Sequence, residues 1–112
     1  MISSDIIRGH LDAIILRLIH EKDRYGYEVS KEIAARTDGE FKIKEATLYA
    51  VFQRLEKKEL IRSYLGSVSH GGRRRYYTIT TLGRAFLSEE LKEWRKAKEI
   101  IDTLMEGRNE QG

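Results

Sequence analysis

The sequence contains no cysteine, no proline and no long apolar run. Without cysteine the chain can form no disulfides and carry out no thiolate chemistry. This composition is compatible with a reducing compartment and gives no support for secretion. The longest apolar run, AIIL at residues 13–16, is far shorter than the ~20 residues that a membrane-spanning helix needs. No leader with a charged and then an apolar segment precedes it. We therefore expect a cytoplasmic protein with no membrane partner.

Acidic residues are absent from one segment of the chain. Residues 61–84 contain five arginines and no aspartate or glutamate, whereas residues 1–60 are balanced and residues 85–112 are slightly acidic. The modest net charge of +3 therefore hides a local concentration of positive charge. Such a segment indicates contact with a polyanion. The alternative interpretation is a hairpin tip rich in solvated arginine.

The residue types that build catalytic or metal sites are scattered. His10, His20 and His70 fall on different predicted elements, and no carboxylate pair shares a spacing with a candidate nucleophile. The sequence has no metal-ligand cluster and no phosphate-binding glycine loop. We therefore predict that the protein is not an enzyme and uses no cofactor, and we interpret the HGG sequence as part of a turn.

Apolar spacing predicts three helices in the first 60 residues. The first is capped by Ser3 or Ser4 and runs to about residue 20, the second covers residues 25–37, and the third begins near residue 45. Asp38 and Gly39 end the second helix, because glycine accepts the left-handed conformation that follows a helix. The inward sides of the second and third helices are predicted to be Val29, Ile33, Ala34, Leu48, Val51, Phe52 and Leu55.

The first predicted helix is apolar on two faces. One stripe consists of Ile7, Leu11, Ile14, Ile15 and Leu18. The second stripe, which includes small residues, consists of Ile6, Gly9, Ala13 and Leu16. The core of the domain covers one stripe. The other stripe therefore indicates contact with another chain or with a ligand.

After residue 60 the pattern changes to two extended runs, residues 61–68 and residues 74–79, with SHGG between them. The glycines allow a hairpin reversal, and YYTIT favours a strand. Thr80 is the predicted cap of a long last helix that covers residues 81–105. Its apolar residues follow a spacing close to a heptad, interrupted by Lys98, and are Leu87, Leu91, Trp94, Ile101 and Met105.

Three helices followed by a hairpin are typical of a winged helix-turn-helix. We therefore predict a mainly α fold with a small β-hairpin. The third helix would enter the major groove of DNA. The wing residues Arg73, Arg74 and Arg75 would reach phosphates or the minor groove, two of them facing DNA and one packing outward. The predicted parts are a DNA-binding domain at residues 1–80, a long C-terminal helix at residues 81–106 and a disordered tail at residues 107–112.

Three segments together resemble the PadR family of transcriptional regulators. They are YGYEV at residues 25–29, ATLYAVFQRLEKKELI at residues 46–61 and GGRRRYYTITTLGR at residues 71–84. The similarity continues through EWRKAKEIIDTL and is greatest to the short members with one C-terminal helix. The resemblance implies a homodimeric repressor of a pseudo-palindromic operator, with residues 81–106 and the first helix forming the dimer interface. Glu59 departs from the family, which usually has glycine after the recognition helix, so the end of that helix stays open.

The resemblance also implies roles for individual residues. Tyr27, Thr47 and Tyr49 match positions that touch or buttress the DNA backbone, and Gly72 and Arg73 match the wing tip. Base reading then falls to the accessible side of the third helix, which consists of Glu45, Ala46, Ala50 and Gln53. Alternatively, the two tyrosines are half-buried packing residues and the glutamine is a solvated helix residue.

Trp94 is the only tryptophan and lies midway along the last helix. If the dimer axis passes close to that helix, the two copies would face each other and sandwich a planar aromatic effector, as in the multidrug-binding relatives. Asp12 lies beside this site and would favour a cationic ligand. The rest of the predicted lining is Ile6, Gly9, Ala13, Leu16, Ala97 and Ile101.

Two alternatives remain at this point. In the first, Trp94 only packs the dimer interface and binds no ligand. In the second, the protein is a dimeric winged-helix adaptor that acts through protein contacts and has no specific DNA target. Salt dependence separates DNA binding from an apolar protein interface, since neutralising phosphates makes affinity fall steeply with salt concentration.

Overall fold

The computed structural model describes residues 4–67 and 72–107 of the chain. Within these residues no helix is both long and apolar enough to cross a membrane. The predicted mainly α fold with a small β-hairpin is confirmed, and the hairpin is part of a three-stranded sheet. The elements in chain order are α1 (Ser4–Arg8), α2 (Leu11–Glu21), β1 (Arg24–Tyr25), α3 (Gly26–Arg36), α4 (Glu45–Lys57), β2 (Ile61–Leu65), β3 (Arg75–Ile79) and α5 (Thr81–Glu106).

The first predicted helix is two helices, because the chain turns at Gly9 and His10. The His10 N–H donates to the Ile7 carbonyl at 2.8 Å, and α2 begins at the next residue. The prediction of one continuous helix is therefore wrong, and glycine inside a helix costs about 0.5–1 kcal/mol relative to alanine. α1 already includes Ser4, so Ser4 is not the cap before it, and Ser3 lies outside the described residues.

One apolar core lies between α2, α3, α4 and the sheet. Val29 and Ile33 are buried as predicted, and Ala34 is half-buried. All four residues of α4 that were predicted to face inward are buried too. Leu16 is 0% exposed, so it belongs to this core and not to a spare face of the helix. The buried apolar residues of this core are Leu11, Ile15, Leu16, Leu18, Ile19, Val29, Ile33, Leu48, Val51, Phe52, Leu55, Leu60, Ile61, Tyr77 and Ile79.

The two helices of the helix-turn-helix, α3 and α4, end in left-handed residues. After α3, both Asp38 and Gly39 have positive φ, at 50° and 78°. After α4, Glu59 has a φ of 63°, and the Leu60 N–H donates to the Leu55 carbonyl at 2.9 Å. This is the Schellman ending that glycine usually provides. Glu59 therefore occupies the glycine position of the motif, and the helix ends as it would with glycine.

The wing is a three-stranded antiparallel sheet in the order β1-β3-β2. Ile61 of β2 lies opposite Ile79 of β3, which pairs the two predicted strands. The two-residue strand β1 was not predicted, and it adds to the free edge of β3 with Tyr25 opposite Tyr76. Most of the predicted SHGG reversal falls in residues 68–71, outside the described part of the chain.

The last helix begins where the sequence predicts. Thr80 caps α5, since the Gly83 N–H donates to its Oγ1 at 2.9 Å. The same hydroxyl donates to the Glu59 carbonyl at 2.8 Å, so the cap is tied to the end of α4. A side-chain carbon at Gly83 would overlap the Leu60 carbonyl oxygen, which explains why glycine is needed there. Residues 108–112 of the predicted tail lie outside the described residues.

Candidate nucleic-acid interface

The side of α4 opposite the core is exposed. The buried residues of α4 pack in the core. Because a helix has 3.6 residues per turn, the residues between them point away from the core. Thr47 is exposed in the first turn of the helix. The four predicted base-reading residues lie together on this outward side and are all exposed, namely Glu45, Ala46, Ala50 and Gln53. The side carries one acid and otherwise small or amide groups, so it can approach a base edge closely.

Tyr49 packs against its neighbours and is also partly exposed. It is 42% exposed, and its ring meets Phe52 edge-on with centroids 5.5 Å apart. A side-chain carbon at Gly26 would lie 2.5 Å from the Tyr49 Oη, so the tyrosine packs directly over the first residue of α3. The absence of a side chain at Gly26 therefore lets α4 and the start of α3 approach each other.

Tyr27 projects from the start of α3 into solvent. Its exposure of 65% excludes the alternative that it is a half-buried packing residue. Its ring stacks at 6.5 Å from the ring of Tyr25, and the Lys31 Nζ lies 5.9 Å from its centroid. A phenol hydroxyl beside an ammonium group at a helix N-terminus suits a phosphate oxygen.

The three wing arginines are exposed but have different surroundings. Tyr77 faces the core, so Arg75 points to the same side of β3 and Arg74 to the opposite side. The Arg75 Nη1 donates to the Ser63 Oγ at 3.0 Å, which fixes its guanidinium along β2. The Arg74 guanidinium lies over the Tyr25 ring, 4.6 Å from its centroid. Arg73 precedes them, next to Gly72, whose φ is 88°.

Arg54 lies beside Gln53 on α4 but is bound to another helix. Its Nη2 and Nε donate to the two carboxylate oxygens of Asp12 on α2, at 2.5 Å and 3.1 Å. Donating to the Asp12 carboxylate raises the pKa of Arg54. The pair therefore braces α4 against α2, and Asp12 faces α4 instead of the predicted ligand site.

A second concave surface lies between α1, α2 and α5, which we call the Trp94 groove. Its volume is about 1190 Å³. Trp94 is 41% exposed, and its ring meets the His10 ring edge-on at 4.9 Å. Five of the predicted ligand-site residues line the groove, namely Ile6, Gly9, Ala13, Trp94 and Ala97.

Three other predicted ligand-site residues do not line the Trp94 groove. Leu16 is 0% exposed and belongs to the core, so it separates from the other members of its predicted stripe, which line the groove. Asp12 is paired with Arg54. Ile101 is half-exposed farther along α5. The charged lining consists of Arg17, Arg36, Arg84, Arg95, Glu90 and Glu93, so the electrostatic reason for favouring a cationic ligand is lost.

Several contacts of the link between α2 and α3 were not predicted. Arg24 is only 7% exposed, and its Nε donates to the Leu18 carbonyl at 2.7 Å. Glu21 accepts from Arg24 at 3.0 Å and from the Arg36 Nη1 at 3.0 Å. The hydrogen bond from Arg36 is the main reason that the pKa of Glu21 falls to about 2. The polar sequence EKDR gave no signal of this burial, because the partners lie on other elements.

The element order, the exposed side of α4 and the arginine-bearing hairpin define a winged helix-turn-helix protein. The model of the Transcriptional regulator PadR-like family matches residues 15–89. The chain belongs to this family. It is a family of DNA-binding transcription regulators and not of enzymes, which agrees with the prediction from the sequence.

The relatives cover nearly the whole chain. An uncharacterised protein of Lysinibacillus sphaericus is 71% identical over 107 residues, which are 96% of this chain and 98% of the relative. A transcriptional regulator from Clostridium thermocellum is 48% identical, with a TM-score of 0.85 over 92% of this chain and 97% of that one. A PadR family transcription regulator from Clostridium difficile is 39% identical, with a TM-score of 0.75 over 86% and 98% of the two chains.

Proposed function

We propose that the protein is a homodimeric repressor that binds a pseudo-palindromic operator through α4 and the wing. One observation carries this proposal: the exposed side of α4 and the wing adjoin the same short segment. Tyr49 of α4 packs over Gly26, and Arg74 of the wing lies over the neighbouring Tyr25. The two DNA-contacting elements would therefore approach the duplex as one surface. Since the operator is chromosomal, the proposal includes a cytoplasmic location.

The proposed contacts divide into two kinds. Phosphate contacts, which set the register on the duplex, fall to Tyr27, Thr47, Tyr49, Gly72, Arg73, Arg74 and Arg75. Base contacts in the major groove fall to Glu45, Ala46, Ala50 and Gln53. Gln53 is the strongest candidate for base reading, because a glutamine amide can pair with both polar atoms of an adenine edge.

The exposed apolar residues of α5 support a dimer. Leu91, Trp94, Ile101 and Met105 are large, apolar and exposed on one side of the helix, and Ile6 of α1 is exposed as well. Burying such side chains against a second copy stabilises association by about 25 cal/mol per Å². For the two α4 helices of such a dimer to enter successive major grooves, they must lie about 34 Å apart. Sedimentation equilibrium should then give twice the chain mass.

The DNA proposal is tested by comparing two alanine variants on the DNA upstream of the protein's own gene and on random DNA. Arg73→Ala should weaken binding to both and reduce the slope of log affinity against log salt by about 2 per dimer. Gln53→Ala should keep the slope and lose about 1–3 kcal/mol of discrimination. An unchanged slope in Arg73→Ala would remove the wing tip from the interface.

We also propose that a planar aromatic effector binds the Trp94 groove of the dimer and releases DNA. Such release requires that the effector bind the DNA-free arrangement more tightly than the DNA-bound one. Rhodamine 6G and fluorescein share a planar ring system and have opposite charge, so their titration against Trp94 emission also tests the charge preference. Saturable quenching that operator DNA weakens supports the proposal. Absence of quenching with both dyes would leave Trp94 as a packing residue.

A further inference from the structure

Tyr25 joins the wing to the helix-turn-helix. It is the last residue of β1 and at the same time the residue that precedes α3. Its N–H donates to the Glu28 carboxylate at 3.2 Å, so this backbone donor at the start of α3 has a hydrogen-bond partner. Because β1 pairs with β3, the same backbone is also part of the wing sheet. Tyr25 therefore cannot move relative to either element without breaking one of these bonds.

The ring of Tyr25 is fixed by a row of tyrosines across the sheet. Tyr25, Tyr76 and Tyr64 are directly opposite one another on the three strands. The Tyr25 and Tyr76 rings meet edge-on at 5.4 Å, and the Tyr76 and Tyr64 rings stack at 5.7 Å. The Tyr64 hydroxyl donates to the Asp23 carboxylate at 2.5 Å, so the last tyrosine of the row is bonded to the residue that precedes β1. Aromatic cross-strand pairs of this kind stabilise a sheet and restrict its side chains.

Arg74 uses this ring as a support. Its guanidinium carbon lies 4.6 Å from the Tyr25 centroid, within the range of a cation–π contact. A stacked guanidinium engages the ring through its flat face, so its N–H donors remain available around its edge. An exposed arginine otherwise loses up to about 2 kcal/mol of side-chain entropy when it is fixed on a ligand. The contact with Tyr25 already restricts the Arg74 side chain in the free protein, so less side-chain entropy is lost when DNA binds.

The other neighbour of Tyr25 is Tyr27. Their rings stack at 6.5 Å with an angle of 24°, and Lys31 lies beyond the Tyr27 ring. The pairwise contacts therefore run from Arg74 through Tyr25 and Tyr27 to Lys31. This ladder connects the wing to the start of α3 through side chains alone.

We propose that Tyr25 is a positioning residue for DNA binding, which holds the Arg74 guanidinium in place to bind a DNA phosphate. Tyr25 itself need not touch DNA. The inference rests on the proposed DNA interface, and it adds a residue that neither the charge pattern nor the helical spacing of the sequence singled out. It predicts that the contribution of Arg74 to affinity depends on the ring at residue 25.

The test is a double-mutant cycle on the DNA upstream of the protein's own gene. Arg74→Ala should weaken binding about tenfold in the wild-type background. In a Tyr25→Leu background the same change should cost about two- to fivefold less, the value of an exposed cation–π contact. Tyr25→Phe keeps the ring and should restore the full Arg74→Ala effect. Arg73→Ala is the matched control, and its effect should be the same in all three backgrounds.

Additive effects of Tyr25→Leu and Arg74→Ala would overturn the inference. So would tighter binding by Tyr25→Leu, which would mean that stacking holds Arg74 away from DNA. If the effect of Arg73→Ala on affinity also fell in the Tyr25→Leu background, and by as much as that of Arg74→Ala, the wing as a whole would have lost its structure. That result would overturn the inference as well. If none of the variants changes DNA affinity, the proposed interface itself has failed, which is a different outcome.

A second variant covers the case in which Tyr25→Leu does not fold. Arg74→Lys keeps the charge but replaces the planar guanidinium by an ammonium that cannot stack in the same way. We expect it to bind about two- to fivefold more weakly than wild type, whereas Arg73→Lys should bind more nearly like wild type. Equal effects of the two lysine variants would contradict the inference.

Discussion

Replacing Glu59 by glycine should stabilise the protein. Glu59 has a φ of 63°, a conformation that costs a residue with a side chain about 1–2 kcal/mol. Glycine avoids this cost, but it also makes the unfolded chain more flexible, which lowers the free energy of unfolding by about 0.5–1 kcal/mol. The net gain expected for Glu59→Gly is therefore about 0.5–1 kcal/mol. The hydrogen bonds of this ending use backbone atoms of Glu59 and Leu60, so they persist in the variant.

The assay is thermal unfolding at one protomer concentration, where the expected rise in Tm is about 2–5 °C. Lys58→Gly is the matched control, because Lys58 has a φ of −84° and gains nothing from glycine. That variant should lose about 0.5–1 kcal/mol. A lower Tm for Glu59→Gly would instead mean that the glutamate side chain stabilises the fold by more than its left-handed backbone conformation costs.

Two further predictions concern the packing of α5 and acid stability. Gly83→Ala should lower stability by about 3 kcal/mol or more, because its new methyl overlaps the Leu60 carbonyl, and urea unfolding measures the loss. Arg36 donates to Glu21 and holds the pKa of Glu21 at about 2, below its ordinary 4.5, so the ionised carboxylate stabilises the fold above pH 4.5 and this contribution disappears toward pH 2. Glu21→Gln should therefore lower Tm at pH 7 and reduce the further decline between pH 4.5 and 2, which a Tm series across pH would show.

Regular elements with local signals could be predicted from the sequence. α4 begins at Glu45 as predicted, because its apolar spacing and its polar start are both local. Thr80 caps α5 as predicted for the same reason. The break at Gly9 was missed, since the apolar residues on either side of it keep helical spacing. β1 is only two residues long, which is too short for any alternation to appear.

The candidate site depended more on contacts between distant residues. The exposed side of α4 follows from helix geometry, so Gln53 could be placed correctly. The pairing of Asp12 with Arg54 joins residues 42 positions apart and has no local signal. The support of Arg74 by Tyr25 is of the same kind, because it requires β1 to pair with β3. Long-range partners of charged residues therefore set the limit of what the sequence could predict here.

The most direct test of the account is a titration of the full chain against the DNA upstream of its own gene at several salt concentrations. A homodimeric repressor should bind with two protomers per site and should prefer this DNA over random DNA. If the two wing arginines of each protomer that face DNA neutralise one phosphate each, the slope of log affinity against log salt should be about −4. A slope near zero with no preference for the upstream DNA would contradict the account and favour an adaptor that works through protein contacts.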